Sequence, residues 1–147
     1  MTDFTTAFKS TIDKLGNDLA VAESLKLIDL DDLALSSELM KSERDALVWE
    51  FLTFDTNPVD PLYSFSFRIG ARTVNDAANY NILRLVDAVK GVFPVQSRGL
   101  VRDYSGAVAG PAVGTFFITD IRVDPQQYDK NSGLRMILVS GKSVRNV

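Results

Sequence analysis

The stretch that decides the fold runs from residue 60 to residue 73 and reads Asp60-Pro-Leu-Tyr-Ser-Phe-Ser-Phe-Arg-Ile-Gly-Ala-Arg-Thr73. Successive residues of a strand point to opposite faces of a sheet, so its alternation from Tyr63 to Arg72 predicts one strand with two different faces. The face predicted to be buried carries Tyr63, Phe65, Phe67 and Ile69, and the other face carries Ser64, Ser66, Arg68, Gly70 and Arg72.

An amphipathic helix is predicted directly after this strand, from Asn75 to Phe93. Thr73 is its expected N-cap, with Asp76 three residues later in the place that Glu or Gln takes in a capping box. Gly91 and Pro94 mark the end of the helix. The stripe expected to pack on the sheet consists of Ala78, Ile82, Leu85, Val86, Val89 and Phe93.

Two elements are predicted before the deciding strand. An N-terminal helical region covers residues 3–26, with a first amphipathic helix over 3–15, a stop or kink at Gly16-Asn17, and further helical turns from Asp18 to Lys26. Residues 45–55 are rich in aromatic and bulky side chains and predict a strand that is covered on both faces. The short connection that follows makes this strand antiparallel to the deciding strand.

The last third predicts further strands. Residues 100–104 form a short strand, and 105–114 form a Gly/Ala-rich loop. Residues 115–123 alternate, with Phe117, Thr119, Ile121 and Val123 opposed to Phe116, Ile118, Asp120 and Arg122. They form a long hairpin with 134–140, joined by a turn-rich connection, and the polar tail 141–147 is expected to fray.

These elements predict one domain over residues 1–147, with a core of sheet and helix over 45–140. The order is α-β-β-α-β-β-β. The expected fold class is therefore α+β, with a mainly antiparallel sheet that carries one or two helices on one face.

Composition removes several functional classes. The chain of 147 residues contains no cysteine and no histidine, so thiolate zinc sites, Cys nucleophiles and Ser-His-Asp triads are absent. A carboxylate acid/base pair, an all-carboxylate metal site or a Ser-Lys arrangement stays open, but no signature supports one, and we expect no enzyme activity.

Charge and hydropathy bear on partners. The net charge is −3 and Lys/Arg runs are absent, which argues against an electrostatic nucleic-acid binder, although a basic patch assembled in three dimensions stays open. The first residues do not resemble a secretory signal, and no apolar run approaches the roughly 18 residues of a membrane span. We expect a soluble intracellular protein without a membrane partner.

Two local patterns invite ligand interpretations that their details do not support. Asp29, Asp31 and Asp32 resemble the start of a calcium loop, but Ala34 stands where the loop needs Gly and Met40 where it needs Glu. The 105–114 loop has neither the Lys nor the spacing of a phosphate-binding loop. We predict no metal and no cofactor, and we expect 27–45 to be largely a solvated acidic loop.

The polar face of the deciding strand is the candidate site. Ser64, Ser66, Arg68 and Arg72 predict a flat, mildly basic surface with no obvious cover. Three interpretations stay open: a solvated sheet face, the wall of a channel, or a contact with a neighbouring subunit. Exposed sheet edges also favour pairing between subunits, which is one route to a ring.

At these residues the chain resembles the tail terminator (tail-completion) proteins of long-tailed bacteriophages. The resemblance covers residues 45–140 and rests on Trp49–Phe54, on Pro61–Thr73 leading into Asn75–Phe93, on the late hairpin ending Gly133-Leu-Arg-Met-Ile-Leu-Val139, and on the N-terminal helix outside that range. The long acidic segment 27–45 departs from the most compact members of that family.

The resemblance implies a structural virion protein of the phage tail and neck, assembled in the host cytoplasm. It implies a homo-oligomeric ring, a hexamer in this family, that caps the tail-tube protein and joins the tail to head-side neck or connector proteins. It also allows a contact with a sheath protein, with DNA only as passing cargo. The alternatives are another neck, head-completion or tail-tube subunit, or, from a different class, a small carboxylate-based ligand-binding or enzyme domain.

Overall fold

The computed structural model describes residues 3–31, 44–56, 62–129 and 132–146, which form two helices and one sheet of seven strands. The predicted α+β class is confirmed. The elements are helix α1 (Phe4–Ala22), strands β1 (Leu27–Asp29), β2 (Ala46–Thr56) and β3 (Leu62–Val74), helix α2 (Tyr80–Val92), and strands β4 (Arg98–Arg102), β5 (Ala112–Val123), β6 (Gln127–Asp129) and β7 (Ser132–Arg145).

The sheet has the strand order β1-β2-β3-β7-β5-β4, and β6 pairs with the start of β7. Every described pair is antiparallel except β1 with β2. The centre is the β3–β7 pair, which stays in register from Leu62 opposite Val144 to Val74 opposite Ser132. The predicted antiparallel pairing of the deciding strand and the predicted late hairpin are both confirmed.

Both helices pack on the same face of this sheet, as predicted. Helix α1 contributes Phe4, Phe8 and Ile12 to the main core, and α2 contributes Ile82, Leu85, Val86 and Val89. The deciding strand supplies Phe65, Phe67 and Ile69, which are nearly or completely buried. The alternation in the sequence therefore identifies the core face of β3 correctly.

The stop predicted for the first helix at Gly16-Asn17 is wrong. Helix α1 continues through these residues to Ala22, which also ends it before the predicted Lys26. Gly16 is buried because the methyl carbons of Leu27 lie against it, 2.9 Å from where a Cβ would stand. At the other end, Asp3 caps the helix, and hydrogen bonds from Thr6 lower the pKa of this carboxyl.

The second helix begins later than predicted. Thr73 is not its N-cap, because β3 runs to Val74 and α2 begins only at Tyr80, after Asn79. The side chain of Asp76 takes the capping role, since it accepts hydrogen bonds from the backbone N–H groups of Ile82 (2.9 Å) and Asn81 (3.4 Å). Ala78 precedes the helix and is exposed, so it is not part of the packing stripe.

The alternation predicted for residues 115–123 is wrong in its second half. A β-bulge between Ile118 and Asp120 adds one residue to β5, which changes the parity of every side chain after it. Phe116 and Ile118 consequently share the core face with Ile121 and Val123. A bulge moves the pattern by one residue, and the sequence of β5 alone does not mark it.

The predicted frayed tail is also wrong as far as Asn146. Strand β7 continues to Arg145, and Ser143 within it is fully buried, with its hydroxyl donating to the Thr115 carbonyl at 2.8 Å. The sequence does not predict this part of the strand, because the buried positions carry small residues such as Gly141 instead of large apolar ones. Strand β4 begins two residues earlier than predicted, at Arg98, and ends at Arg102.

The acidic segment 27–45 contains an unpredicted strand. Strand β1 runs parallel to β2, with Ile28 opposite Val48. Ile28, Ala46, Val48 and Met136 form a second, smaller apolar cluster on the sheet face opposite the helices, which confirms that the start of β2 is covered on both faces. The rest of the predicted loop, from Asp32 to Glu43, lies outside the described residues.

Candidate functional site

The four predicted site residues share one face of the sheet. Ser64, Ser66, Arg68 and Arg72 alternate along β3 with buried core residues, so their side chains lie on the face opposite α1 and α2. We call this side of the sheet the open face, because no described helix packs on it. The sequence thus locates these residues correctly relative to the core, while their role stays a prediction.

Cross-strand register arranges the open face in rows perpendicular to the strands. We name three of them. The apolar row contains Ile28, Val48, Gly70 and Met136; the Arg68 row contains Glu50, Arg68, Leu138 and Arg122; and the hydroxyl row contains Thr53, Ser66, Ser140 and Asp120. Only the β3 members of the last two rows were identified from the sequence, because the others become neighbours through pairing with distant strands.

Charges in the Arg68 row are paired. The Arg68 guanidinium donates to Asp124 at 2.9 Å and to Glu50 at 3.4 Å. Asp124 also lies 4.0 Å from the guanidinium of Arg122. The mildly basic surface expected from the β3 residues is therefore balanced at Arg68 by carboxylates from β2 and from the residue after β5, which the sequence does not connect to it.

The hydroxyl side chains are also engaged with their cross-strand neighbours. The Ser66 hydroxyl lies 2.8 Å from the hydroxyl of Thr53, and the ammonium group of Lys142 donates to the Ser64 hydroxyl at 2.6 Å. Both pairs lie on the solvent-exposed part of the open face. The middle of this face is thus lined by small polar groups that bond to one another and project little.

A groove of about 520 Å³ lies where the Arg68 row meets the apolar row. Its polar side is formed by Arg68, Glu50 and Asp124, and its apolar side by Leu30, Leu134 and Met136. The groove combines a charge network that is already paired with an apolar side on which Leu30 and Leu134 are partly exposed and Met136 is buried behind them. Such a surface is suited to an occupant that is apolar and carries no charge of its own.

Strand β4 ends the sheet with an unpaired edge. The backbone N–H of Ile118 donates to the carbonyl of Ser97. In an antiparallel pair every second residue bonds to the neighbouring strand, so the backbone N–H and C=O groups of Arg98 and Leu100 point away from β5. No other described strand pairs with this edge. Further along, α1 closes the edge, because the Ser10 and Thr11 hydroxyls donate to the Arg102 carbonyl and Thr11 accepts from its N–H.

A separate polar cluster lies between α1 and the sheet. The indole N–H of Trp49 donates to Asp13 at 3.1 Å, and Lys9 forms an ion pair with Asp29 at 3.2 Å. Burial raises the pKa of Asp13; the nearby Asp29 carboxyl adds to this rise, whereas the hydrogen bond from Trp49 and the charge of Lys9 oppose it. This carboxylate anchors the only tryptophan of the chain.

The raised pKa of Asp13 predicts a pH-dependent stability effect. In the folded state this carboxyl keeps its proton to a higher pH than in the unfolded chain, so its ionisation destabilises the fold as pH rises above about 3.8 and through the folded pKa. Asp13→Asn removes that penalty and keeps an acceptor for Trp49. We expect the variant to gain stability relative to the wild type as pH increases, measured by urea unfolding at a series of pH values with Trp49 fluorescence as the signal.

The matched variant for this experiment is Asp13→Leu. It also removes the ionisable group but leaves the buried indole N–H without its partner, which costs about 1–3 kcal/mol at every pH. Equal stability of the two variants would show that the Trp49 hydrogen bond contributes nothing. A pH-independent difference between Asp13→Asn and the wild type would contradict the assigned pKa shift.

The acidic residues and the helices of the described part of the chain bear on metal binding and on membrane crossing. No cluster of three or more carboxylates there is arranged to hold a metal ion. Of the acids that resembled a calcium loop, Asp29 pairs with Lys9, Asp31 accepts from the N–H of Phe51 at 3.2 Å, and Asp32 is outside the described residues. Neither α1 nor α2 has the length and apolar character that crossing a bilayer requires.

The open face, the groove and the β4 edge are therefore the features on which a functional proposal can rest. All three are accessible surfaces formed by the described residues. Neither a scan against models of protein families nor a search among curated proteins finds a match for this chain.

Proposed function

We propose that this chain is a structural subunit that assembles into a ring, in the manner of a phage tail terminator, and thereby caps a tail tube and joins it to the neck. The observation that carries the proposal is the open face together with the unpaired β4 edge. Leu100 and Val144 are 48% and 37% exposed there. Thr115 lies between these two residues in the cross-strand register, so the apolar groups at this end of the open face are separated by a hydroxyl and the unpaired backbone of β4 adjoins them.

The β4 edge provides a reason for self-association. Unpaired strand edges attract further strands, and natural proteins that remain monomeric protect such edges with charges, bulges or a covering element. Here α1 covers the edge only at Arg102, while Arg98 and Leu100 keep their outward groups. A subunit that uses this edge or the adjoining open face in a head-to-tail contact closes into a ring when the rotation between copies is suitable.

The alternatives place the same surfaces in other roles. A head-completion or tail-tube subunit would use them within the same virion architecture. A carboxylate-based ligand-binding domain is favoured only by the presence of Glu50 and Asp124 in the groove, and both of these carboxylates contact Arg68. A cationic ligand would have to displace Arg68 from them. We therefore retain the structural proposal.

The proposal predicts an oligomer. Size-exclusion chromatography with light scattering should give a mass that is a multiple of the 16.2 kDa subunit, and negative-stain images should show rings. Some rings close only on their target, so the same measurement is made with purified tail tubes, which should become capped at one end. A protein that stays monomeric and leaves tube ends uncapped in both experiments contradicts the proposal.

A pair of variants tests the role of the open face within such a ring. Thr53→Arg places a long cation in the hydroxyl row, whereas Thr5→Arg makes the same change at an exposed position of α1. A subunit contact on the open face would bury the new charge, and we expect Thr53→Arg to raise the concentration needed for assembly or capping about tenfold or more. Thr5→Arg should leave it unchanged. Equal behaviour of the two variants would remove the hydroxyl row of the open face from the interface.

A further inference from the structure

The loop after β4 has an unusual surface for its length. Residues 105–109 are all exposed, and Val108 is 83% exposed, more than the other large apolar residues of the described chain. The segment 104–111 contains no charged residue, and Val108 is flanked by Ala107 and Ala109. The tip of the loop therefore presents one apolar side chain among small neighbours.

The base of this loop is held in place. The Gly110 N–H donates to the Asp103 carbonyl at 2.9 Å, and the Arg102 guanidinium donates to the Gly110 carbonyl at 3.1 Å. Asp103 also accepts from the Ser105 N–H through its side chain at 2.9 Å. These bonds close the loop at its stem, so that Val108 is presented by an anchored structure.

The loop and the groove are located at opposite ends of β5. The loop precedes Ala112, the first residue of β5, and the groove contains Asp124, which follows its last residue. Twelve residues of strand extend about 35–40 Å. The loop of one copy therefore does not reach the groove of the same copy, so a contact between this loop and this groove would join two copies.

We propose that the 105–110 loop of one copy inserts into the groove of the next copy, with Val108 packed against Leu134, Met136 and Leu30. The inference rests on the proposed ring function and identifies its subunit contact. The charges of the groove already pair with one another through Arg68, so an uncharged tip leaves those ion pairs intact. Small residues around Val108 let the tip enter a groove of about 520 Å³.

The contact joins two different surfaces, and it is therefore heterologous. Each copy offers a loop to one neighbour and a groove to the other, so the contact repeats in one direction until it closes. A two-fold dimer would instead bring identical surfaces together. The location of the loop and the groove at opposite ends of the strand thus favours a ring or a filament over an isolated dimer.

Cysteine cross-linking tests this contact directly, because the natural chain contains no cysteine. The variant with both Val108→Cys and Gln127→Cys, the latter at the exposed rim of the groove, should give a ladder of disulfide-linked species on mild oxidation. A mixture of the two single variants should give linked dimers and no longer ladder. The control combines Val108→Cys with Asp87→Cys on the exposed side of α2, and it should give no ladder.

A second pair of variants tests the energetics without cysteines. Val108→Asp should raise the concentration needed for ring formation about tenfold or more, because the loop would carry an unpaired charge into the groove. Val21→Asp makes the same change at a similarly exposed residue of α1, 77% exposed, and should have no effect.

The outcomes separate the inference from the proposed function. Rings that form but show no 108–127 ladder, or show as much linkage with the Asp87→Cys control, overturn the loop-in-groove contact and leave the ring proposal standing. Rings that tolerate Val108→Asp as well as Val21→Asp also overturn it. Absence of any oligomer, alone or on tail tubes, overturns both.

Discussion

Phe8→Ala is expected to lower the free energy of unfolding by about 3–5 kcal/mol, because it removes the aromatic centre of the main core. The Phe8 ring is completely buried and lies 4.6 Å from the ring of Phe65 and 4.7 Å from that of Phe54, measured between centroids. Phe51 and Phe116 contact it at 6.1 and 6.0 Å. One side chain of α1 thus connects β2, β3 and β5.

The expected loss for Phe8→Ala is large relative to the total free energy of unfolding. Domains of this size are stable by about 5–15 kcal/mol, so the variant is expected to lose between about a fifth and all of its free energy of unfolding. Chemical denaturation gives the change, and hydrogen exchange of the α1 amides shows whether the helix detaches before global unfolding.

Phe117→Ala is the matched control. It deletes the same ring from the neighbouring position on β5, but Phe117 is only partly buried and lies on the open face, opposite Lys142. We expect a loss of about 1 kcal/mol for the isolated subunit, in proportion to the smaller area it buries. Loss of stability at Phe117 equal to that at Phe8 would show that the open face is buried in the protein as it exists in solution.

The face assignment of β3 was predictable from sequence for a physical reason. A strand with a buried side and an accessible side must alternate, and Phe65, Phe67 and Ile69 do so without interruption. The same rule failed on β5, where the bulge at Thr119 places Ile118 and Ile121 on one face. It failed on β7 because Gly141 and Ser143 are buried without being large and apolar. Periodicity detects large apolar side chains, whereas these positions are buried by close backbone approach.

The helix boundaries show a related limit. Residues 75–79 carry the polar and small residues of a helix start, yet Asn75 and Asn79 adopt positive φ angles of 56° and 59°. Asparagine tolerates this conformation, so the chain makes an extra turn before α2 begins. The Asp76 side chain accepts from the N–H of Ile82, six residues later in the sequence. Standard capping patterns join residues two or three positions apart, so they do not predict this bond.

The candidate site was predictable only in part. Ser64, Ser66, Arg68 and Arg72 follow from one strand, but the groove depends on which strands lie beside it. Glu50 reaches Arg68 through the β2–β3 register, and Leu138 reaches it through the β3–β7 register. Asp124 approaches from the end of β5, 56 residues away in sequence. Long-range pairing determines such a site, and single-sequence patterns carry no direct information on it.

Gly141→Ala is expected to destabilise the protein by about 3 kcal/mol or more, the upper range for overpacking a core. Gly141 lies in β7 between β3 and β5, where a Cβ would stand 2.1 Å from the carbonyl oxygen of Phe117 and 2.6 Å from the ring of Phe65. The ring has room to turn only at the expense of its packing with Phe8, and the carbonyl belongs to the paired backbone of β5. Relief therefore requires two central strands to separate.

The opposite result is expected at Gly91, near the end of α2. A Cβ there meets nothing within 4 Å, and the residue is exposed and helical, so Gly91→Ala should stabilise the protein by about 0.5–1 kcal/mol through helix propensity. Urea unfolding of both variants beside the wild type measures the expected loss of stability for Gly141→Ala and the expected gain for Gly91→Ala in one experiment. If Gly141→Ala were as harmless as Gly91→Ala, β7 could not lie in the described register between β3 and β5, and the open face built on that register would have to be abandoned.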